Sequence, residues 1–406
     1  MNTATKETVI RSAPLPRSKR LWFALILGAL SAFAPLSIDM YLPSLPTLSS
    51  DLGTTTSLAQ LSLTACLLGL ALGQLIVGPL SDKFGRRKPL LISLVIYAVA
   101  SLLCAFGSSI YLLIGLRFIE GATGAAGIVI SRAMVRDMYE GSEMTKFFSL
   151  LMLVNGLAPI LAPIVGGMLL KYVSWHGVFV VLALIGVVMF LAVLFGLPES
   201  LPTNKRSSGG LTGTLRTFGR LLKDRSFIGY ALTQGFITAA MFGYISGSPF
   251  VLQDIFGVSP QMFSVIFAIN GIGIIIASQV AGRLAGKVSE TKLLVSGLLI
   301  AATGGISLFF TLLLDAGIIA VLIPLFLIVA SVGIVGTASF ALAMQNQGHS
   351  AGSASALLGL FPYVFGAIAA PLVGLGGNMA SMPMGIVIAA CEVGALLIYF
   401  FMVRRK

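Results

Sequence analysis

Apolar runs of about 20 residues, separated by short polar segments, repeat from one end of the chain to the other. Inside the runs polar positions do not alternate with apolar ones, so the pattern reads as helices rather than strands. Twelve runs fit that template: 21–43, 58–80, 89–107, 110–134, 145–170 and 176–197, then 226–249, 260–282, 292–314, 317–343, 351–377 and 383–403. A helix of that length crosses the hydrocarbon of a bilayer with its backbone amides satisfied internally. The longest internal polar stretch, 198–225, contains Ser207-Ser208-Gly209-Gly210 and parts the runs six and six. The expected organisation is a polar tail over 1–20, a six-helix half over 21–197, a linker over 198–225 and a second six-helix half over 226–406. The fold class is an all-α membrane protein of twelve transmembrane helices.

Composition agrees. The 406 residues are 57% hydrophobic and only 10% charged, against about 25% charged in a soluble domain. The net charge of +12 would suit nucleic acid, but its placement points elsewhere. Of the 26 Lys and Arg, 24 fall in the N-terminal tail, in alternate connections between runs and at the C-terminus; the exceptions are Arg117 and Lys171. Intervening connections carry Asp51, Asp254 and Asp315 instead. Such one-sidedness is the positive-inside signature, which puts both termini and the basic connections in the cytoplasm. Five basic residues (Lys6, Arg11, Arg17, Lys19, Arg20) precede a first run too long for a cleaved leader, which is expected to stay as the first span.

Cys66, Cys104 and Cys391 lie inside apolar runs without metal-ligand spacing, and His176 and His349 are far apart. No metal or cofactor is expected, and no enzyme activity. There is no phosphate loop and no ATP-binding segment, so any transport would draw on an ion gradient or the substrate's own.

Residues 78–88, between the second and third runs, read Gly-Pro-Leu-Ser-Asp-Lys-Phe-Gly-Arg-Arg-Lys. The pattern Gly-x-x-x-Asp-basic-x-Gly-basic-basic at this place resembles the signature loop of the major facilitator superfamily. The resemblance implies two pseudo-symmetric halves related by an axis along the membrane normal, with substrate between them near the midplane. It also implies a cytoplasmic gate built on Gly78, Asp82, Gly85, Arg86 and Arg87, with Asp137 at the end of the fourth run. In the family the loop aspartate works through charge pairs and the N-terminus of the eleventh helix, where an anion is favoured. The competing reading is a positive-inside anchor with an incidental aspartate. Gly282-Arg283-Leu284-Ala285-Gly286-Lys287 is a weak echo in the second half, with Gly286 at the aspartate position.

Leu113, Arg117, Glu120, Gly121 and Gly124 share one face of the fourth run. Leu-x-x-x-Arg-x-x-x-Gly resembles the superfamily's second motif. An arginine at the centre of a membrane helix costs at least ~2.5–3.5 kcal/mol, so it faces a cavity or a partner. Glu120 is one local partner. Asp39 is another: it lies roughly 27 Å along the first run, and Arg117 about 10 Å inward from the outer start of the fourth, so both fall in one leaflet and pairing across the cavity fits. Asp39-Met40-Tyr41-Leu42-Pro43 resembles the first-helix motif of bacterial drug exporters of the bicyclomycin-resistance (Bcr/CflA) type. Glu392, an isolated acid mid-way along the last run, is either a second proton site or a group facing a polar partner or water.

In the fifth run, Ala158-Pro159-Ile160-Leu161-Ala162-Pro163-Ile164-Val165-Gly166-Gly167 resembles the antiporter motif Gly-x-x-x-Gly-Pro-x-x-Gly-Gly, with Ala158 and Ala162 in place of the leading glycines. Small residues let helices approach and prolines kink them; a generic kinked packing helix is the other reading. Tyr41, Asn155, Gln234, Tyr244, Asn270, Phe361 and Tyr363 are candidates for lining the cavity, since rings and amides suit a flat or cationic compound. Taken together, the resemblance implies proton-coupled efflux of small amphipathic or drug-like compounds by alternating access. It also implies a monomer in the bacterial inner membrane, whose partners are substrate, protons and lipid. A proton from outside would neutralise Asp39 and loosen its attraction to Arg117. An exporter of a single metabolite such as an amino acid or sugar, or a non-transporting membrane receptor or scaffold, are the alternatives.

Overall fold

The structure, a computed structural model, describes residues 17–139, 141–206, 217–345, 347, 351–376 and 381–404. The tail over 1–16 and Ser207 to Gly210 of the linker lie outside the described residues. Among the described residues twelve helices are long and apolar enough to cross a membrane. They are α1 (Leu21–Asp51), α2 (Thr56–Phe84), α3 (Arg87–Ala105), α4 (Ile110–Met138), α5 (Lys146–Leu169) and α6 (Trp175–Gly196), then α7 (Arg225–Ile255), α8 (Pro260–Leu284), α9 (Glu290–Leu313), α10 (Ile318–Met344), α11 (Ala354–Val373) and α12 (Met382–Val403).

Polar residues just outside the apolar runs start several of these helices. Thr55 accepts the Leu58 amide at 3.3 Å, Asp224 the Ser226 amide at 2.9 Å, and Ser259 the Met262 amide at 3.2 Å. Each satisfies a donor that the first helical turn leaves open. Two boundaries differ from the sequence expectation. α1 does not stop at 43 but continues to Asp51, bending through a short 3-10 turn at Leu42–Ser44, where Pro43 and Pro46 each remove a backbone donor. The basic segment over 81–88 is mostly helix: α2 runs on to Phe84 and α3 begins at Arg87, leaving Gly85 and Arg86 to turn the chain. Gly85 does so with φ 89°, a left-handed conformation that glycine adopts without a Cβ clash.

Packing repeats with a shift of six. α2 lies along α4 and α8 along α10; α3 lies along α6 and α9 along α12; α1 meets α5 and α7 meets α11. The crossing contacts exchange: α5 packs on α8 of the second half, and α11 on α2 of the first. Two pseudo-symmetric six-helix halves therefore face one another. Ile92, Val99, Leu184, Val188, Leu299 and Ile306 are exposed on α3, α6 and α9, an apolar outer surface suited to lipid rather than water.

The halves are tied at the end of the bundle away from the basic turns. Gln60 of α2 donates to the Ser246 carbonyl of α7 at 3.1 Å, Gln253 of α7 to the Pro43 carbonyl of α1 at 3.2 Å, and Gln261 of α8 to the Gly167 carbonyl of α5 at 2.9 Å.

Candidate functional site

A cavity of about 200 Å³ lies between the halves, walled by α1, α5, α7, α8, α10 and α11. Its lining is mostly apolar: Pro35, Ile38, Met241, Phe242 and Phe267 contribute. Among the described residues Asp39 is the one charged side chain on the wall. It is buried and forms no hydrogen bond or ion pair among the described residues. Asn270 donates to the Tyr244 hydroxyl at 2.9 Å, and the Tyr244 ring stacks on Phe267 with centroids 5.5 Å apart. Tyr363 stands 6.4 Å from Phe242, and Asn155 bonds back to the Leu151 carbonyl at 2.8 Å.

Four of the cavity candidates from the sequence, Asn155, Tyr244, Asn270 and Tyr363, line this space, and three do not. Tyr41 is fully buried inside the first half, with its hydroxyl 3.3 Å from Ser62. Phe361 packs against Phe365 beside the Leu357 and Leu358 cluster. Gln234 is half-buried on α7, away from the cavity wall. A polar or aromatic residue inside a span marks an inward face, but a helix has two inward-looking sides. One meets the cavity and the other meets its own half.

Arg117 takes the second side. Its guanidinium bonds Glu120 at 2.6 Å and the backbone carbonyl of Ser37 at 2.6 Å, and lies 4.3 Å from the Tyr41 ring centre. Glu120 also accepts the Ser101 hydroxyl of α3 at 3.1 Å. Ser37 in turn shares a 2.7 Å hydrogen bond with Tyr97. The expected pairing of Asp39 with Arg117 across the cavity is therefore not formed. Arg117 and Glu120 are both fully buried, and two opposite charges one helical turn apart satisfy each other more cheaply than a charge across open space. Arg117 still reaches Asp39's helix, through the backbone two residues earlier.

At the basic end Arg86 collects the anions. It bonds Asp82 at 2.5 Å, Asp137 at 2.8 Å and the Ser81 hydroxyl at 2.8 Å. Burial weighs against its charge, and the hydrogen bonds to Asp137 and Asp82 outweigh that, holding the guanidinium above its ordinary range. Glu199, which the sequence reading missed, accepts the backbone amides of Arg86 at 2.8 Å and Arg87 at 3.1 Å. A carboxylate at a helix N-terminus is favoured by the helix dipole, and here it caps α3. Its only sequence signal was position: an acid just past the end of the sixth run, in a segment otherwise read as linker. Arg87 donates to the Leu194 carbonyl of α6. Gly78 lies nearest Val129 of α4, and a Cβ on Gly85 would meet the Glu199 carboxylate. All of these contacts lie within the first half and the first residues of the linker. The expected contact of Asp82 with the N-terminus of the eleventh helix involves residues 348–350, outside the described residues.

α5 sits between the halves. Pro159 lines the cavity, while Ala158, Ala162 and Pro163 are buried. A Cβ on Gly166 would run into the Met40 carbonyl of α1, and one on Gly167 would press on Ser264 of α8. The small residues thus let one helix touch its own half and the opposite half at once. Glu392 on α12 is fully buried away from the cavity, against Gly305 of α9. Among the described residues no three His, Cys, Asp or Glu side chains gather as a metal site.

Residues 25–371 match the family model described as Major Facilitator Superfamily. The chain is 47% identical to an uncharacterized MFS-type transporter, YdgK, of Bacillus subtilis, over 96% of this chain and 97% of the relative. It is 32% identical to a bicyclomycin resistance protein homolog of Haemophilus influenzae, covering 95% and 96%. It is 30% identical to a chloramphenicol resistance protein of Pseudomonas aeruginosa, covering 82% and 79%. Among solved structures, the nucleoside transporter NupG superposes with a TM-score of 0.77 at 14% identity, covering 95% of this chain and all (100%) of the other. The xylose transporter XylE of E. coli gives 0.71 at 15% identity, covering 95% and 98%. At such identities the likeness speaks for the fold alone. Family model, close relatives and twelve-helix architecture agree: the chain belongs to the Major Facilitator Superfamily of membrane transporters.

Proposed function

We propose that the protein exports small amphipathic, drug-like compounds from the cytoplasm of a bacterium, across its inner membrane, in exchange for protons. The observation that carries this reading is Asp39: a carboxyl with no partner among the described residues, on the wall of an apolar, ring-lined cavity between two halves. Such a group can hold a proton or face a cationic or hydrogen-bonding cargo, but it cannot do both at full strength. Competition for one carboxyl is the simplest means of exchange. The aromatic and amide lining offers stacking and a few polar contacts without a fixed pattern of donors. That favours varied amphipathic cargo over one sugar or amino acid, which would call for a dense hydrogen-bonding shell. The relatives named for bicyclomycin and chloramphenicol resistance support the same class of cargo.

The geometry supports the following cycle. Positive-inside placement puts the basic end in the cytoplasm, and the glutamine ties then lie at the outer end. In this conformer cargo reaches Asp39 from the cytoplasmic side and displaces its proton. The halves rock about the cavity, the glutamine ties break, and cargo leaves as a proton from outside returns to Asp39. Arg117 does not meet the proton; it holds the α1 backbone that carries Asp39. The test is transport in proteoliposomes. An imposed pH gradient should drive accumulation of ethidium or chloramphenicol, and Asp39→Asn should abolish the driven component. Driven uptake equal to wild type in Asp39→Asn removes Asp39 from the coupling.

A further inference from the structure

Glu392 is the second carboxyl in the bundle whose surroundings stand out. Its side chain is fully buried, and neither of its oxygens has a hydrogen-bond partner among the described residues. It projects from the middle of α12 onto Gly305 of α9, where a Cβ would press at 3.2 Å on the Glu392 Cβ and Cγ. Gly305 in α9 thus leaves room for a longer side chain opposite. The floor is apolar: Leu308 and Ile388 are fully buried in the same cluster, and Cys391 packs against it.

The helices against α12 are α7, α9 and, more lightly, α11. Their charged residues are Arg225 and Asp254 at the two ends of α7 and Glu290 and Lys292 at the start of α9; α11 has none. Phe236 and Gly243 of α7 contact Gly394 and Ile388, so Arg225 and Asp254 sit roughly 20 Å along α7 from the level of Glu392 by helix rise. Glu290 is fifteen positions from Gly305, roughly 22 Å by the same rise. The other titratable groups on these helices are Tyr230 and Tyr244 of α7, Tyr363 of α11, and Cys391 and Tyr399 of α12 itself. None is a cation.

A bare carboxylate fully enclosed by apolar side chains, with no cation or donor side chain beside it among the described residues, is among the most costly arrangements a protein can hold, and the group takes a proton instead. Ionisation then requires a conformer in which α12 and α9 admit water or a cation to it. A proton on Glu392 is therefore linked to conformation, whatever occupies the central cavity.

We infer that Glu392 is a second proton-carrying site, enclosed within the second half and separate from Asp39, which holds its proton in this conformer and releases it when the α9–α12 contact opens. What that proton is for rests on the proton-exchange reading above; that it is there does not. Wild-type protein in lipid nanodiscs is treated with dicyclohexylcarbodiimide, which adds to protonated carboxyls in apolar surroundings, and the adducts are mapped by mass spectrometry. Glu392 should be labelled at acid pH, with labelling falling by about tenfold per pH unit once it titrates. The second measurement uses Asp39→Asn, which removes the cavity carboxyl, with Ser57→Cys, beside Gly374 of the second half, as a reporter at the tied end. The rate at which that cysteine reacts with an impermeant maleimide, divided at each pH by the rate for free cysteine so that thiolate formation cancels, should still rise several-fold with pH, and Glu392→Gln should flatten the rise. Absence of an adduct at every pH overturns the inference, as does a pH response that survives Glu392→Gln unchanged. Failure of drug uptake, by contrast, would strike the exporter reading and leave both of these readouts standing.

Discussion

The guanidinium of Arg117 holds the backbone carbonyl of Ser37 at 2.6 Å, while its charge is met by Glu120 at 2.6 Å in the same helix. The arginine is thus a bracket between α4 and α1, not the counter-ion of the cavity carboxyl. Asp39, two residues beyond Ser37, forms no ion pair among the described residues, so on the proposed exchange reading it would take and give its proton without first breaking one. A bracket of this kind also fixes where along the cavity Asp39 sits, since the Ser37 hydroxyl is held by Tyr97 of α3 at 2.7 Å.

The first prediction concerns that bracket. Glu120→Leu leaves a buried guanidinium without its anion, and Arg117→Met leaves a buried carboxyl without its cation; breaking a buried pair from one side costs about 3–5 kcal/mol. Arg117→Met with Glu120→Leu removes both charges and should cost markedly less, because no orphan charge remains. Thermal unfolding in detergent, run as a double-mutant cycle, checks the non-additivity. If the double variant loses as much as the sum of the single ones, the pair is not coupled as its geometry demands. Transport should fall in all three, since each loses the hold on Ser37 or its neutral setting.

The second prediction concerns Arg86 and Glu199. Arg86→Lys keeps the charge but cannot serve Asp82, Asp137 and Ser81 together, because an ammonium lacks the fork of the guanidinium. Hydrogen bonds to charged groups are worth ~1.5–3 kcal/mol each, so losing one should shift a conformational equilibrium by tenfold or more. Transport should drop by about that factor while the protein still reaches the membrane. Glu199→Gln should lower stability by about 0.5–2 kcal/mol through the loss of a charged cap on α3. Vesicle transport and thermal unfolding separate the two effects. Full activity in Arg86→Lys would show that the fork is not needed.

Much of this was legible beforehand, for physical reasons. Twelve spans and their two-half arrangement follow from length, hydropathy and the one-sided placement of Lys and Arg, which lipid enforces strongly. Asp39, Arg117, Asp82 and the small residues of α5 stood out because each is a costly or unusual residue at a membrane position. What failed was direction. Tyr41 and Arg117 are both buried, yet they turn to the interior of their own half rather than to the cavity. Ile38, Met241 and Phe267 line the cavity but carry no mark that separates them from lipid-facing residues. Glu199 was read as linker because a cap depends on where the neighbouring helix begins, and that start lies more than a hundred positions earlier in the chain.

The third prediction concerns which end of the bundle is closed. Gln60, Gln253 and Gln261 each donate across the interface to a backbone carbonyl of the opposite half, at 3.1, 3.2 and 2.9 Å. Their carbonyl partners are set by helix packing, so the side chains alone decide whether the bonds form. A single neutral hydrogen bond contributes about 0.5–1.5 kcal/mol net, and three together are enough to invert a two-state balance. Gln60→Leu, Gln253→Leu and Gln261→Leu combined should therefore shift the population toward conformers open at this end. An engineered cysteine at Ser57, beside Gly374 of the second half, should then react faster with an impermeant maleimide added from the outside of intact cells. The single variants should give fractions of the effect that accumulate toward the triple. A triple variant whose cysteine reacts no faster than in the parent would show that apolar packing, and not these amide bridges, keeps this end shut.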